Sequence, residues 1–216
     1  MNETHAAFIR RETAVASPPL VPELRLHLAS EITPIWHATE AALAREGVDP
    51  PYWAFAWPGG QATARHLLDR PELVAGKRVL DFAAGSGLAA IAAAKAGATA
   101  EANDIDAVAA VAIGLNAALN DVTVAVSTDD LVSAPCRWQI VLAGDVCYEK
   151  PMAERVFPWL QSCAAAGALV LMADPGRAYL PATGLERVAS YDVPTSLELE
   201  DRTLRPTHLW RILPPA

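Results

Sequence analysis

"VLDFAAGSGLAAI", residues 79–91, decides how this 216-residue chain reads. Val79, Leu80 and Phe82 make a short apolar run carrying Asp81. Gly85 and Gly87 follow, and an alanine-rich helical segment opens at Leu88. A strand that turns through glycine into a helix leaves the first N–H groups of that helix unpaired. They face, with the positive end of the helix dipole, whatever lies beyond the strand. Ala90 completes a G-x-G-x-x-A spacing, which by itself suits a dinucleotide as well as other nucleoside-bearing ligands. Asp104 closes the next predicted strand, "ATAEAND", and a carboxylate there offers lone pairs to both hydroxyls of a ribose. Without Asp104 the glycines would read equally well as a bare structural turn. Asp106, its neighbour, reads as the N-cap of the helix "AVAAVAIGLNAALN".

Outward from this turn, strands and helices alternate. "VTVAVS" (122–127), "WQIVLAGD" (138–145) and "ALVLMAD" (168–174) read as strands, and "PMAERVFPWLQSCAAAG" (151–167) as a helix interrupted near Pro158. Such alternation predicts a mostly parallel α/β sheet covered by helices on both faces. "LERVASYDV" (185–193) and "THLWRIL" (207–213) read as two further strands with no full helix between them, suited to closing the sheet as an antiparallel pair. Upstream, "SPPLVPE" (17–23) ends an N-terminal arm, "ELRLHLAS" (23–30) alternates as a short strand, and "PIWHATEAALAREG" (34–47) reads as a helix from Pro34 to its stop at Gly47. The expected organisation is an arm over residues 1–50 on a domain over 51–216.

Composition narrows the partners. The chain is 52% hydrophobic, enough for a sizeable core, and carries a formal net charge of −8 with scattered Lys and Arg. Nucleic-acid binding normally needs a basic stripe to neutralise phosphates, and none is visible. An acidic surface suits a small cation or a lysine-bearing protein better. No apolar run reaches the roughly 18 to 20 residues of a membrane span. Cys136, Cys147 and Cys163 fit neither a disulfide framework nor a zinc site, and the five histidines are dispersed. The amino terminus lacks the apolar core of a secretory signal, so a soluble, cytoplasmic protein without a metal is expected.

The glycine turn alone does not separate NAD from S-adenosylmethionine. Asp81 before the glycines is placed to hold the cationic methionine end of S-adenosylmethionine, and little chain remains for the substrate domain a dinucleotide enzyme usually carries. "AGDVCYE" (143–149) ends the fourth strand beside the expected switch point of the sheet, where ligands bind in open α/β folds. A last oddity is "PYWAFAWPGGQA" (51–62), which crowds Tyr52, Trp53, Phe55 and Trp57 just ahead of Gly59 and Gly60 in a chain with 6% aromatics. It reads either as core or as the wall of a pocket for something flat.

Taken together, "PYWAFAWPGGQA", "VLDFAAGSGLAAIAAAKAGA", "ANDIDAVAAVAIGLN", "GDVCYE" and "DPGR" resemble the seven-β-strand methyltransferases, and within them the electron transfer flavoprotein β-subunit lysine methyltransferases. The resemblance runs from about Phe8 to the end. One departure is Ala83, where such enzymes often carry the first glycine of the loop. The resemblance implies a Rossmann-like α/β fold with sheet order 3-2-1-4-5-7-6 and the last strand antiparallel. It implies S-adenosyl-L-methionine as methyl donor, S-adenosyl-L-homocysteine as product, and the flavoprotein β subunit as protein partner of a monomeric enzyme. Trp57, Gly59, Gly60 and Gln61 are then expected at the cofactor, together with Asp81, Ala83, Gly85, Gly87, Asp104 and Ile105. Asp129 stands where the adenine amino group finds an acceptor, or is a plain turn residue.

Methyl transfer needs a neutral lysine, whose ordinary pKa is about 10.4. A neighbouring carboxylate binds the ammonium but hinders its deprotonation, so Asp145 is assigned to orienting the amine rather than to base catalysis. Tyr148 offers an aromatic face or a hydroxyl acceptor, or else covers the sheet edge. Glu149 reads as a helix cap, and "ADPGR" first as a turn and second as a substrate contact. Tyr52, Trp53 and Phe55 stay divided between substrate channel and core. The competing functions are a methyltransferase with another protein or small-molecule acceptor, a non-catalytic nucleotide-binding module, and an NAD-linked oxidoreductase.

Overall fold

Runs that are apolar at every position, such as "IVLA" and "LVLMA", belong in strands buried on both faces. In the computed structural model, which describes residues 4–29 and 50–215, they lie at the middle of a seven-stranded sheet. A hairpin of β1 (Ala14–Ala16) and β2 (Leu26–Leu28) precedes that sheet. The sheet itself comprises β3 (Arg78–Phe82), β4 (Thr99–Asn103), β5 (Ala125–Ser127), β6 (Ile140–Gly144), β7 (Leu169–Asp174), β8 (Leu185–Pro194) and β9 (Leu204–Ile212). Its order is β5-β4-β3-β6-β7-β9-β8, parallel from β5 to β7, with β9 antiparallel to both β7 and β8. Counting the sheet's own strands from β3, this is the expected 3-2-1-4-5-7-6.

The helices are α1 (His5–Glu12), α2 (Pro58–Asp69), α3 (Leu88–Lys95), α4 (Ala107–Leu119), α5 (Lys150–Ala165) and the single turn α6 (Leu197–Glu200) between β8 and β9. One core layer packs α2 and α3 on the sheet through Leu67, Ala90, Ala93 and Leu142. The other packs α5 through Val156, Trp159, Leu160 and Cys163. The chain leaves β3 toward β4 and β5 on one side and returns to β6 on the other. A crevice therefore opens at the carboxyl ends of β3 and β6. No helix among the described residues is long and apolar enough to cross a membrane.

Two local expectations change. The helix break foreseen at Pro158 does not occur, and α5 runs unbroken from Lys150 to Ala165. Pro158 lies on the exposed face, where the carbonyl it leaves unpaired is free to bond water, while the buried stripe on the other side keeps both halves of the helix packed on the sheet. The strand foreseen over 122–127 is shorter, because the Val122 N–H bonds the Ala117 carbonyl and finishes the α4 terminus, so pairing begins only at Ala125. The helix expected over 34–47 lies outside the described residues.

The arm is tied down through α4. Asn116 Oδ1 accepts from the His27 N–H and Asn120 Oδ1 from the Arg25 N–H, so two amides one turn apart satisfy the open edge of β2. Asn116 Nδ2 also donates to the Ser86 carbonyl, joining the arm to the glycine turn. Beside it, Gly87 (φ +76°) has no room for a Cβ, which would lie 2.9 Å from Ile113 Cγ2. Gly87→Ala is therefore expected to destabilise the fold by about 1 to 3 kcal/mol, read as a lower urea midpoint; an unchanged midpoint would contradict this packing.

Candidate active site

At the carboxyl ends of β3, β4 and β6 lies a cavity of about 700 Å³. Its floor is the glycine turn, where Ala83 and Gly85 both have φ of +52°. The left-handed region is unstrained for glycine and costs alanine about 1 to 2 kcal/mol, so Ala83 keeps the glycine geometry without being glycine. Asp104 secures the turn. Its Oδ2 accepts the Gly85 N–H at 2.8 Å and its Oδ1 the Asp106 N–H at 3.0 Å. Asp106 caps α4 by accepting from Val108 N, as expected. Asp81 is buried, and its Oδ2 accepts the Ala90 N–H of α3 at 2.9 Å. Burial outweighs that hydrogen bond and pushes the Asp81 carboxyl up to about 7.

The opposite wall is built around Asp145, a residue with φ +55° just after β6. Its Oδ2 accepts the Gly59 N–H at 2.5 Å, at the start of α2. A Cβ on Gly59 would collide with that carboxylate and with the Ala173 carbonyl of β7, so only glycine lets α2 begin this close to the sheet. Asp145 Oδ1 accepts from Arg177 Nη2 at 2.8 Å and Nε at 3.2 Å. Burial pushes the Asp145 carboxyl up to about 6, against the pull of Arg177 and the Gly59 N–H. The turn bearing Arg177 is fixed by Asp174 Oδ1, which accepts from both Gly176 N and Arg177 N.

Aromatic rings line the space between these walls. Tyr52–Ala54 form a single 3₁₀ turn rather than a strand. The Tyr52 ring centroid lies 5.5 Å from Tyr148 and 6.0 Å from Trp57, whose Nε1 donates to the Tyr52 carbonyl. Trp53 and Phe55 line the cavity and also belong to the buried cluster that holds Ile9, Ala109 and Ala112. Core and pocket wall thus share the same rings.

Among the residues singled out from the sequence, Trp57, Gly60, Asp81, Ala83 and Gly85 line one part of the cavity. Asp104, Ile105, Asp145 and Tyr148 line it as well. Four others lie outside its lining. Gly59 supports Asp145, and Gly87 gives room to Ile113. Gln61 is buried, donating to the Ala56 carbonyl and accepting from Leu20 N, so it fastens the arm. Asp129 is exposed, its carbonyl bonded by Asn103 Nδ2, and the neighbouring Asp130 is the cavity residue, ion-paired with Arg155 of α5. Glu149 precedes α5 without a side-chain capping bond and also lines the cavity. Sequence reading ranked Arg177 below its turn. The signal lay in the terminal arginine of "ADPGR", the residue of that turn long enough to reach back across the strand ends.

Sheet order, crevice and acid-flanked glycine turn define the class, the Rossmann-like methyltransferase fold of seven strands. In agreement, magnesium protoporphyrin IX methyltransferase from Synechocystis, solved with bound SAM, superposes with a TM-score of 0.55 at 14% identity, covering 82% of this chain and 93% of that one. The family model for ribosomal protein L11 methyltransferase (PrmA) matches residues 63–144. The electron transfer flavoprotein beta subunit lysine methyltransferase of Danio rerio is 39% identical over 91% of this chain and 78% of its own length. That of Xenopus laevis is 38% identical over 96% and 87%. The chain belongs to the family of electron transfer flavoprotein β-subunit lysine methyltransferases.

Asp81 makes stability depend on pH. Its folded pKa of about 7 exceeds the ordinary 3.8, so the folded state holds this proton where the unfolded chain has lost it. The contribution is complete below the lower value and is lost as pH rises through about 7. Asp81→Asn should therefore stabilise the fold by at most about 4 kcal/mol at about pH 8, with the gain vanishing toward pH 4. Urea unfolding at both ends of that range checks the sign; a variant less stable than the parent at the alkaline end would refute it.

Proposed function

We propose that this chain is an S-adenosylmethionine-dependent protein-lysine N-methyltransferase that modifies lysine side chains of the electron transfer flavoprotein β subunit. It acts as a monomer in the cytoplasm, with residues 1–50 an arm on the transferase domain of 51–216. One observation carries the reading. Asp81 and Asp104, at the ends of adjacent strands, flank the glycine turn on one wall of a cavity whose other wall is Asp145, Arg177 and an aromatic rim.

The residues present fit the cofactor. Among the described residues, a Cβ on Gly85 would find within 4 Å only Trp53 Cα and the Tyr52 carbonyl, both at 3.8 Å, an ordinary contact distance that leaves room beside the turn. Asp104 accepts the Gly85 N–H on one oxygen and the Asp106 N–H on the other, and a carboxylate, with about four lone-pair sites, is the acceptor that ribose hydroxyls require. Ile105, 72% exposed although apolar, offers a surface that the flat adenine would cover. Asp81 supplies a carboxyl that the positive charge of the methionine ammonium would hold ionised against the effect of burial. When bound, the cofactor supplies a methyl group on a sulfonium, an electrophile that a neutral amine attacks.

The chain's own groups prepare that amine. Tyr52, Trp57 and Tyr148 exclude water from a lysine stem and attract its cationic head to their ring faces. Asp145, with a pKa of about 6 and an arginine on one oxygen, is ionised near neutrality and a poor base, which leaves it the work of orientation. Holding two reactants aligned in a dry channel is worth up to roughly 7 to 11 kcal/mol of the barrier.

Incubation with purified electron transfer flavoprotein and cofactor should raise the intact mass of the β subunit by whole methyl groups. Label appearing only in other proteins or in small molecules would overturn the acceptor. Asp104→Ala is expected to weaken cofactor binding tenfold or more in calorimetry, about 1.4 kcal/mol, and equal affinity would remove the ribose role. Asp145→Asn should keep cofactor affinity while turnover falls by about a hundredfold; unaltered turnover would take Asp145 out of the mechanism.

A further inference from the structure

Resting on the lysine-methyltransferase reading, we propose that Arg177 is a positioning residue that keeps the acceptor amine neutral, standing as a fixed positive charge beside Asp145 with Glu200 as its second counter-ion.

A carboxylate alone at this point would trap lysine as an ammonium, which has no lone pair to attack with. Asp145 is not alone. Gly59 N–H takes one of its oxygens and the Arg177 guanidinium the other. The same guanidinium reaches Glu200 of α6, through Nη2 to Oε1 at 2.5 Å and Nη1 to Oε2 at 3.1 Å. Its centre lies 5.9 Å from the Trp57 ring, a third support. Glu200 has a side chain only 2% exposed and is approached from behind by Arg205 Nε of β9 at 3.5 Å. The charges of Asp145, Glu200, Arg177 and Arg205 cancel, so an incoming amine meets a neutral cluster whose cavity-lining members include a cation.

The surrounding groups do not undo this. Asp174, behind Arg177, is buried, pushed up by that burial, and spends one oxygen on two turn N–H groups. His208, its register partner on β9, bonds Ser190. The Cys147 thiol is pushed up to about 12 by burial and stays uncharged. Across the cavity Asp130 is paired with Arg155, Asp81 and Asp104 belong to the glycine-turn wall and Asp106 caps α4; Tyr148 and Glu149 stand at the rim. Arginine is the residue this duty requires, since it stays charged at every working pH and its planar fork engages two carboxylates at once.

The test is the pH dependence of kcat, which reports groups ionising in the enzyme–substrate complex. Purified electron transfer flavoprotein serves as acceptor at saturating cofactor, and thermal melts verify each variant. Arg177→Gln should move the midpoint of the rising limb about one unit alkaline, with its deficit shrinking as pH rises. Arg177→Lys, which keeps the charge, should restore the parent midpoint. Glu200→Gln, which removes a counter-ion, should leave the midpoint in place or move it acidward. A deficit in Arg177→Gln that is equal at every pH overturns the proposal. Should that variant fail to fold, an alkaline shift in Glu200→Gln overturns it as well. A parent enzyme that leaves the flavoprotein unmethylated refutes the acceptor reading and this proposal with it. Methylation by the parent with no shift in the variants refutes this proposal alone.

Discussion

The Asp145 carboxylate is the point on which the rest of the site depends. It accepts from the first turn of α2 through Gly59 and from the β7–β8 turn through Arg177, while its own N–H bonds the Ala173 carbonyl of β7. Segments around Gly59 and Arg177, far from Asp145 and from each other in sequence, meet on one side chain. They can do so only because bulk is missing around it. A Cβ on Gly59 would strike Asp145, and one on Gly144 would lie 3.0 Å from Gly60 N. "WPGG" and "AGD" are two halves of one contact, and neither half explains its glycines without the other. A buried carboxylate left unpaired would cost several kcal/mol, so removing either donor loosens the whole junction.

The glycine turn obeys the same logic on the opposite wall. Asp104 holds Gly85, Asp81 holds Ala90, and Asn116 holds Ser86 from beneath while bonding the arm. The acids that face the cavity thus also brace the turn that shapes it. Bracing is what keeps a binding site ready in advance, since side chains already locked need not be ordered when the ligand arrives. Two carboxyls pushed up to about 7 and about 6 are the visible cost of this arrangement, stability given up where the fold needs charge in a dry place.

Much of this was legible in the chain itself. Apolar runs announced the central strands, and two closing strands with no full helix between them announced the antiparallel edge. The strand–glycine–helix turn with Asp104 pointed to a nucleoside ligand, and the fold sets Gly85 and Asp104 on the cavity. These signals are local and periodic, so they survive in one dimension. The misreadings have a common origin in long-range contacts. Gln61 stands beside Gly60 in sequence yet faces the arm, because α2 turns it toward Leu20. Asp129 and Asp130 cannot be told apart in "STDD", yet only the second lines the cavity. Pro158 looked like a break until the buried stripe on the far side of α5 was known.

By itself, then, the sequence determined the fold class and the order of elements, because backbone propensity, hydrophobic period and turn chemistry act between near neighbours, while the family rested on the resemblance of its motifs. Only the tertiary structure decided which residues line the cavity, which glycine borders it and which makes room for a neighbouring helix, and that Arg177 joins Asp145 to Glu200. Those outcomes depend on directions of side chains brought together from distant segments, and on burial, which pushes up the carboxyls of Asp81 and Asp145.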